Sequence, residues 1–168
     1  KKSLIFYLIK ILIKIMKIID IQKKEQRNFF LKKRSEINKK EVKKKLFSHL
    51  SKLNYFQKSK IISSFISYRG EISTQMLNEQ IVLEKKILCL PVIKENSKIL
   101  FFRKYDSKKN LIKGKYGIMI PKKSKNIITP EIILVPCLAF DLNGYRLGYG
   151  GGYYDQTIYK MKNENKKF

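Results

Sequence analysis

Along the chain, apolar positions recur first at helical spacing and then in short strand-like runs. Residues 22–38 (QKKEQRNFFLKKRSEIN) bring Phe29, Phe30, Leu31 and Ile37 near one face of a helix, with Lys and Arg on the other. Val42, Leu46, Phe47, Leu50 and Leu53 continue the pattern and predict a second basic helix over 39–53. The run IISSFISY at 61–68 is β-branched and aromatic, which predicts the first strand. Glu71 then falls on the loop at that strand's C-terminal end, and Ser73 or Thr74 suits the cap of a short helix to about residue 80. ILCLPVI at 87–93 and KILFFRKY at 98–105 predict further strands, followed by a Lys- and Gly-containing loop to Pro121. EIILVPCLAF predicts a strand from 131 into a turn at Pro136, and YYDQTIYKMK resumes a helical pattern after Gly150, Gly151 and Gly152. Strands alternating with helices predict an α/β sheet whose ligand site lies in the loops at the strand ends.

Composition narrows the picture to one domain. With 168 residues, 43% of them hydrophobic, the chain can bury one core but hardly two. Ten Phe and ten Tyr, with only four Pro and eight Gly, argue for a globular chain over a linker-rich one. The net charge of +25 raises nucleic acid as a partner. The kind of base argues against it: of 38 basic residues only Arg27, Arg34, Arg69, Arg103 and Arg146 are arginines, the better readers of phosphate and bases. Abundant Lys, Ile and Asn together match what an AT-rich coding sequence produces without selection for a partner. Cys89 and Cys137 sit in apolar runs with neither disulfide nor metal spacing, so a reducing, cytoplasmic setting is expected. His49 falls in the Lys-rich helix, where a surface or half-buried position is expected.

The first residues stand apart. Lys10, Lys14 and Lys17 are spaced four and three apart among apolar residues, which puts them on one helical face. Such a helix could lie on a membrane surface. Alternatively it is upstream sequence, with Met16 as the true start. Spanning a membrane is not expected, because the segment's uninterrupted apolar runs reach only six residues against the roughly 20 required. Residues 1–21 are therefore set aside as an extension outside the fold, and 22–168 form the domain.

The stretch 134–155, LVPCLAFDLNGYRLGYGGGYYD, carries the chemistry. After Asp141, Asn143 and Gly144 come Arg146, a glycine-rich loop and a helix start. Glycines allow close backbone approach and positive φ, and free amides at a helix start favour anions. Arg146 can pair with phosphate oxygens, Asp155 suits a magnesium ion that bridges phosphates, and Tyr149, Tyr153 and Tyr154 offer flat surfaces for a ring. Gly148 to Gly152 matches neither the P-loop nor the dinucleotide fingerprint. A tight turn with its tyrosines packed as core fits the same string.

RLGYGGGYYD, preceded by LVPCLAFDLNG, resembles the signature of the 5-formyltetrahydrofolate cyclo-ligase family. KKEQRNFFLKKR resembles that family's opening helix, KSKIISSFISYRGEIST its first strand and substrate loop, KKILCLPVI its second strand, and YGIMIP its turn before a Pro. The resemblance covers residues 22–162 and implies a three-layer α/β sandwich with a mostly parallel, Rossmann-like sheet flanked by helices. Two departures stand out. Ile120 replaces the acidic residue usual before that Pro, and the family continues past Phe168 with further strand and a second magnesium-associated Asp. Lys166, Lys167 and Phe168 are expected to begin that strand, leaving the C-terminal part missing.

The resemblance implies an ATP-dependent, magnesium-requiring ligase acting on 5-formyltetrahydrofolate. By position, Lys23, Arg27, Arg146, Leu147, Gly148, Tyr149, Gly150, Gly151, Gly152, Tyr153 and Tyr154 would bind ATP. Ile66, Glu71, Tyr149, Gly150, Gly151, Gly152 and Tyr153 would contact folate, Asp155 would bind magnesium, and Arg146 and Tyr153 would be catalytic. The implied protein is a monomer with neither nucleic acid nor stable membrane association. The alternatives are a folate- or nucleotide-binding relative without catalysis, suggested by Ile120 and the short C-terminus, and a basic RNA-binding module.

Overall fold

The computed structural model describes residues 2–122 and 127–164, so the expectation for Lys166, Lys167 and Phe168 lies outside the described residues. The chain divides into two compact units. One comprises the residues up to Ile37 together with Cys137–Gly150, and the other Asn38–Pro136 together with Gly151 onward.

The first unit contains helix α1 (Lys2–Glu36). Residues 22–36 are helical as their pattern predicts, but the helix begins twenty residues earlier and is continuous through the extension. Its apolar face is not buried as the periodicity suggests: Phe29 is 56% exposed, and Leu31 and Ile37 are exposed as well. From Ile9 to Gln26 every residue is exposed.

The second unit begins with α2 (Lys39–Ser51) and α3 (Asn54–Lys58), then β1 (Ile61–Ser63), α4 (Gln75–Leu83), β2 (Ile87–Ile93) and β3 (Leu100–Lys104). A hairpin follows, β4 (Leu111–Lys113) and β5 (Met119–Pro121), in the stretch expected to be loop. Next come β6 (Ile127–Ile128) and β7 (Ile132–Ile133). In the first unit, β8 (Ala139–Phe140) and β9 (Arg146–Leu147) pair as an antiparallel hairpin, and α5 (Tyr153–Asn163) closes the second unit.

Five strands of the second unit form one sheet in the order β6-β3-β2-β1-β7. The sheet is mixed, which corrects the mostly parallel, Rossmann-like expectation. β1 runs parallel to β2 and β7, whereas β2 with β3 and β3 with β6 are antiparallel. The reason is local. Only six residues separate Ile93 from Leu100, room for a hairpin return but too few for the crossover that a parallel pair requires.

Strand alternation sends neighbouring residues to opposite faces. Ile62, Leu88 and Ile132 join a core with Phe56, Leu77 and Ile81, backed by Leu46, Phe47 and Leu50 of α2. Ile61, Cys89 and Ile133 turn the other way and pack with Phe102, Met161, Tyr153 and Tyr154. Helices thus cover both faces, α2 to α4 on one and α5 on the other. The predicted apolar face of α2 is confirmed, although Leu53 is exposed just past its end.

Candidate functional site

In the first unit the glycine loop meets α1. Arg27, half-buried, donates from Nε to the carbonyl of Gly148 at 3.0 Å. Gly150 has φ +97, and a Cβ there would lie 3.4 Å from Cζ of Arg27. Glycine at 150 is thus required by its backbone conformation, while the arginine sits at ordinary contact distance from it. Arg34, seven residues and two turns further along α1, is hydrogen-bonded to the hydroxyl of Tyr149, with Cζ 5.7 Å from that ring's centre. Lys23 is exposed one turn before Arg27, and Arg146 and Leu147 are half-buried on β9. Arg146 lowers the pKa of Cys137, opposing the larger upward effect of burial.

Asp141 is used structurally. Its Oδ1 accepts from the amides of Asn143 and Tyr145, both at 2.9 Å, and Gly144 takes φ +82 in the turn that joins β8 to β9. Asp141, Asn143 and Gly144 are thus the chemistry of a tight hairpin.

In the second unit the loop enters α5. Gly152 occupies the N-cap position in the left-handed conformation, with φ +69. A Cβ on Gly151 would come within 2.8 Å of the Tyr153 ring, so that ring packs closely against the glycine. Asp155 is exposed in the first turn, where a carboxylate also complements the helix dipole. Tyr154 is half-buried in the core beneath α5, which is the packing role its aromatic character allows.

Tyr153 also meets a residue that the sequence did not single out. Its hydroxyl lies 3.1 Å from that of Tyr116, at the tip of the β4–β5 hairpin. Their shared hydrogen bond draws Tyr116 below the ordinary tyrosine pKa and raises Tyr153 above it, with Lys115 beside both. Tyr116 and Gly117 both have positive φ, 60° and 76°. The string K-Y-G at 115–117 was a usable turn signal. Its pairing with Tyr153 depends on a fold no local pattern encodes. Arg34 was more accessible: its spacing from Arg27 already puts both on one face of α1.

Ile66 and Glu71 lie on another loop of this unit, residues 64–74. Arg69 at φ 45 and Gly70 at φ 78 make a tight turn between Tyr68 and Glu71. Oε2 of Glu71 accepts from the amide of Tyr68 at 2.8 Å, and the Glu71 amide returns to the Tyr68 carbonyl at 3.2 Å. Ile120, in place of the expected acid, is half-buried on β5 against Gly114, where a Cβ would meet its Cδ1 at 2.7 Å.

Among known proteins, the profile of the 5-formyltetrahydrofolate cyclo-ligase family matches residues 20–168. The chain belongs to this family. It is 33% identical to the 5-formyltetrahydrofolate cyclo-ligase of Haemophilus influenzae over 114 residues, 65% of this chain and 61% of that protein. It is 35% identical to the Escherichia coli K12 cyclo-ligase over 102 residues, 58% and 56% of the two chains. The chain thus spans less than two thirds of the length of these relatives. The solved structure of Aquifex aeolicus 5,10-methenyltetrahydrofolate synthetase superposes with a TM-score of 0.67 at 35% identity, covering 82% of this chain and 72% of that one. The synthetase from Mycoplasma pneumoniae, 18% identical with a TM-score of 0.58, shares the family's fold. No helix among the described residues is long and apolar enough to cross a membrane.

Proposed function

We propose that this chain carries out ATP-dependent closure of 5-formyltetrahydrofolate to 5,10-methenyltetrahydrofolate, with release of ADP and phosphate. The observation that carries the reading is Arg27 set against the glycine loop, its guanidinium packed on Gly150 and bonded to Gly148. A cation fixed at a loop of bare backbone is the arrangement that polyphosphate recognition needs.

In this reaction the formyl oxygen attacks the γ-phosphorus and the bond to ADP breaks. The folate's second nitrogen then attacks the activated formyl carbon, closing the ring and expelling phosphate. The phosphorylated formyl group is the intermediate, because an amide oxygen leaves poorly until phosphorylated. The protein's tasks are positioning and charge stabilisation. Lys23, Arg27 and Arg146 hold the phosphates, and residues 147–154 line the nucleotide. Glu71 and Ile66 contact the folate, with Tyr149 to Tyr153 at the reacting groups and Arg146 and Tyr153 as the catalytic residues.

No group of three or more acidic, His or Cys side chains among the described residues forms a metal cage. Magnesium commonly rides on substrate phosphates with one or two carboxylates. Asp155 would hold it, and the ion would neutralise charge on the transferred phosphoryl group. We further read residues 22–168 as the catalytic domain, preceded by the extension 1–21, and the protein as a cytoplasmic monomer without nucleic-acid or stable membrane partners.

The test is the appearance of the methenyl product's near-ultraviolet band on mixing the chain, 5-formyltetrahydrofolate, ATP and magnesium. Arg146→Ala should cut turnover by about 100-fold or more with the fold intact by circular dichroism. Unchanged turnover would remove Arg146 from the chemistry. Folate and ATP binding without product would favour the non-catalytic relative, the reading that Ile120 suggests.

A further inference from the structure

The loop carrying Glu71 is held by the hydroxyls of half-buried Ser67 and buried Thr74, which have no place in the reaction. Thr74 is only 2% exposed, and its Oγ1 donates to the carbonyl of Phe65 at 2.6 Å. Ser67 Oγ accepts from the Thr74 amide at 2.7 Å, donates to the carbonyl of Ile72 at 2.8 Å, and lies 3.1 Å from Thr74 Oγ1. Asn78, one turn into α4, adds a second donor to Phe65 at 3.2 Å. These bonds tie the strand side of the loop, 65–67, to its helix side, 72–74.

Thr74 stands at the N-cap of α4, where a threonine hydroxyl ordinarily accepts from an amide two or three residues on. Here it makes no such cap. The hydroxyl turns back across the loop, so α4 forgoes a stabilising bond that the loop receives. Between the two pinned sides, Arg69 and Gly70 are exposed, and the turn's own bonds fix Glu71 only relative to Tyr68. The carboxylate's position relative to β1 is therefore transmitted through Ser67 and Thr74. With Oε2 engaged at Tyr68, a carboxylate retains further acceptor sites for a ligand's N–H groups.

We propose that Ser67 and Thr74 are positioning residues for the Glu71 carboxylate, setting affinity for a pterin-like donor face through the loop they close. This rests on the reading of Glu71 as a folate contact. The test is calorimetric titration of the full chain with 5-formyltetrahydrofolate and, separately, with ATP and magnesium. Thr74→Val should weaken folate binding by roughly tenfold, the scale of one lost polar contact, leave ATP binding unchanged, and speed amide exchange across 66–74. Thr74→Ser should restore both affinity and protection. Ser67→Ala gives the same readout should Thr74→Val fail to fold. Glu71→Gln separates the two ideas. If it weakens folate binding while Thr74→Val and Ser67→Ala only lower the melting temperature, the positioning role is overturned and the reading of Glu71 stands. If Glu71→Gln has no effect, or the wild type binds no folate, that reading fails and the positioning role falls with it.

Discussion

Cys89 and Cys137 come from similar apolar runs but occupy different surroundings. Cys89 is fully buried on β2, its thiol donating to the carbonyl of Ile62 at 3.5 Å. Burial pushes its pKa up from 9.0 to about 12, only partly offset by Ser63. The native state therefore keeps this proton where the unfolded chain has lost it. Its contribution to stability is complete below pH 9.0 and declines as pH rises toward about 12. Cys137 is half-buried, and Arg146 opposes the upward effect of burial on its thiol. At mildly alkaline pH an alkylating reagent should modify Cys137 first and Cys89 only at the rate of unfolding. Peptide mass spectrometry would read the order, and equal rates would contradict this burial of Cys89. The sequence anticipated both thiols as small apolar residues. It could not rank them, because Arg146 approaches Cys137 only through the β8–β9 pairing.

Between elements, one side chain joins α5 to the sheet. Thr157 is 1% exposed, accepts from the amide of Leu100 at 2.8 Å and donates to the carbonyl of Tyr153 at 2.6 Å. Thr157→Val keeps the volume but leaves the Leu100 amide buried without that acceptor, which should cost about 1–3 kcal/mol. Chemical denaturation would measure it, and a loss near zero would mean the helix end relaxes to admit water. Such a bond marks where local reading stops. The helices α2 and α5 and the strand β2 were legible because amphipathic spacing or a long apolar run identifies them unaided. The strand expected at 61–68 shortened to Ile61–Ser63 because the loop beyond it satisfies its backbone through Ser67, Thr74 and Asn78. The strand expected from 131 shrank to Ile132–Ile133 for the related reason that Ala139 and Phe140 pair with β9. At the site, Arg146 and the glycines were readable as a motif, while Tyr116 and the hydroxyls around Glu71 depend on distant pairing.

For the whole molecule, charge says less than its size suggests. The basic excess is 38 against 13 acidic residues, and the described ion pairs, such as Lys33 with Glu36 and Lys104 with Asp106, are exposed. Each contributes about 0–1 kcal/mol, so burial around the sheet holds the second unit together. That sheet is built in two ways, and the difference bears on the order in which it is made. β2 and β3 are close in sequence, and their antiparallel ladder forms by closing one short loop. β1 must find β2 across α4, and β7 must return to β1 from some seventy residues away, both in parallel register. Loop closure and non-local pairing slow these steps. During refolding, pulsed hydrogen exchange should protect the amides of β2 and β3 before that of Leu134, which bonds back to the carbonyl of Ser63. The chain then assembles from its hairpin outward, and the strand leading to the glycine loop joins last.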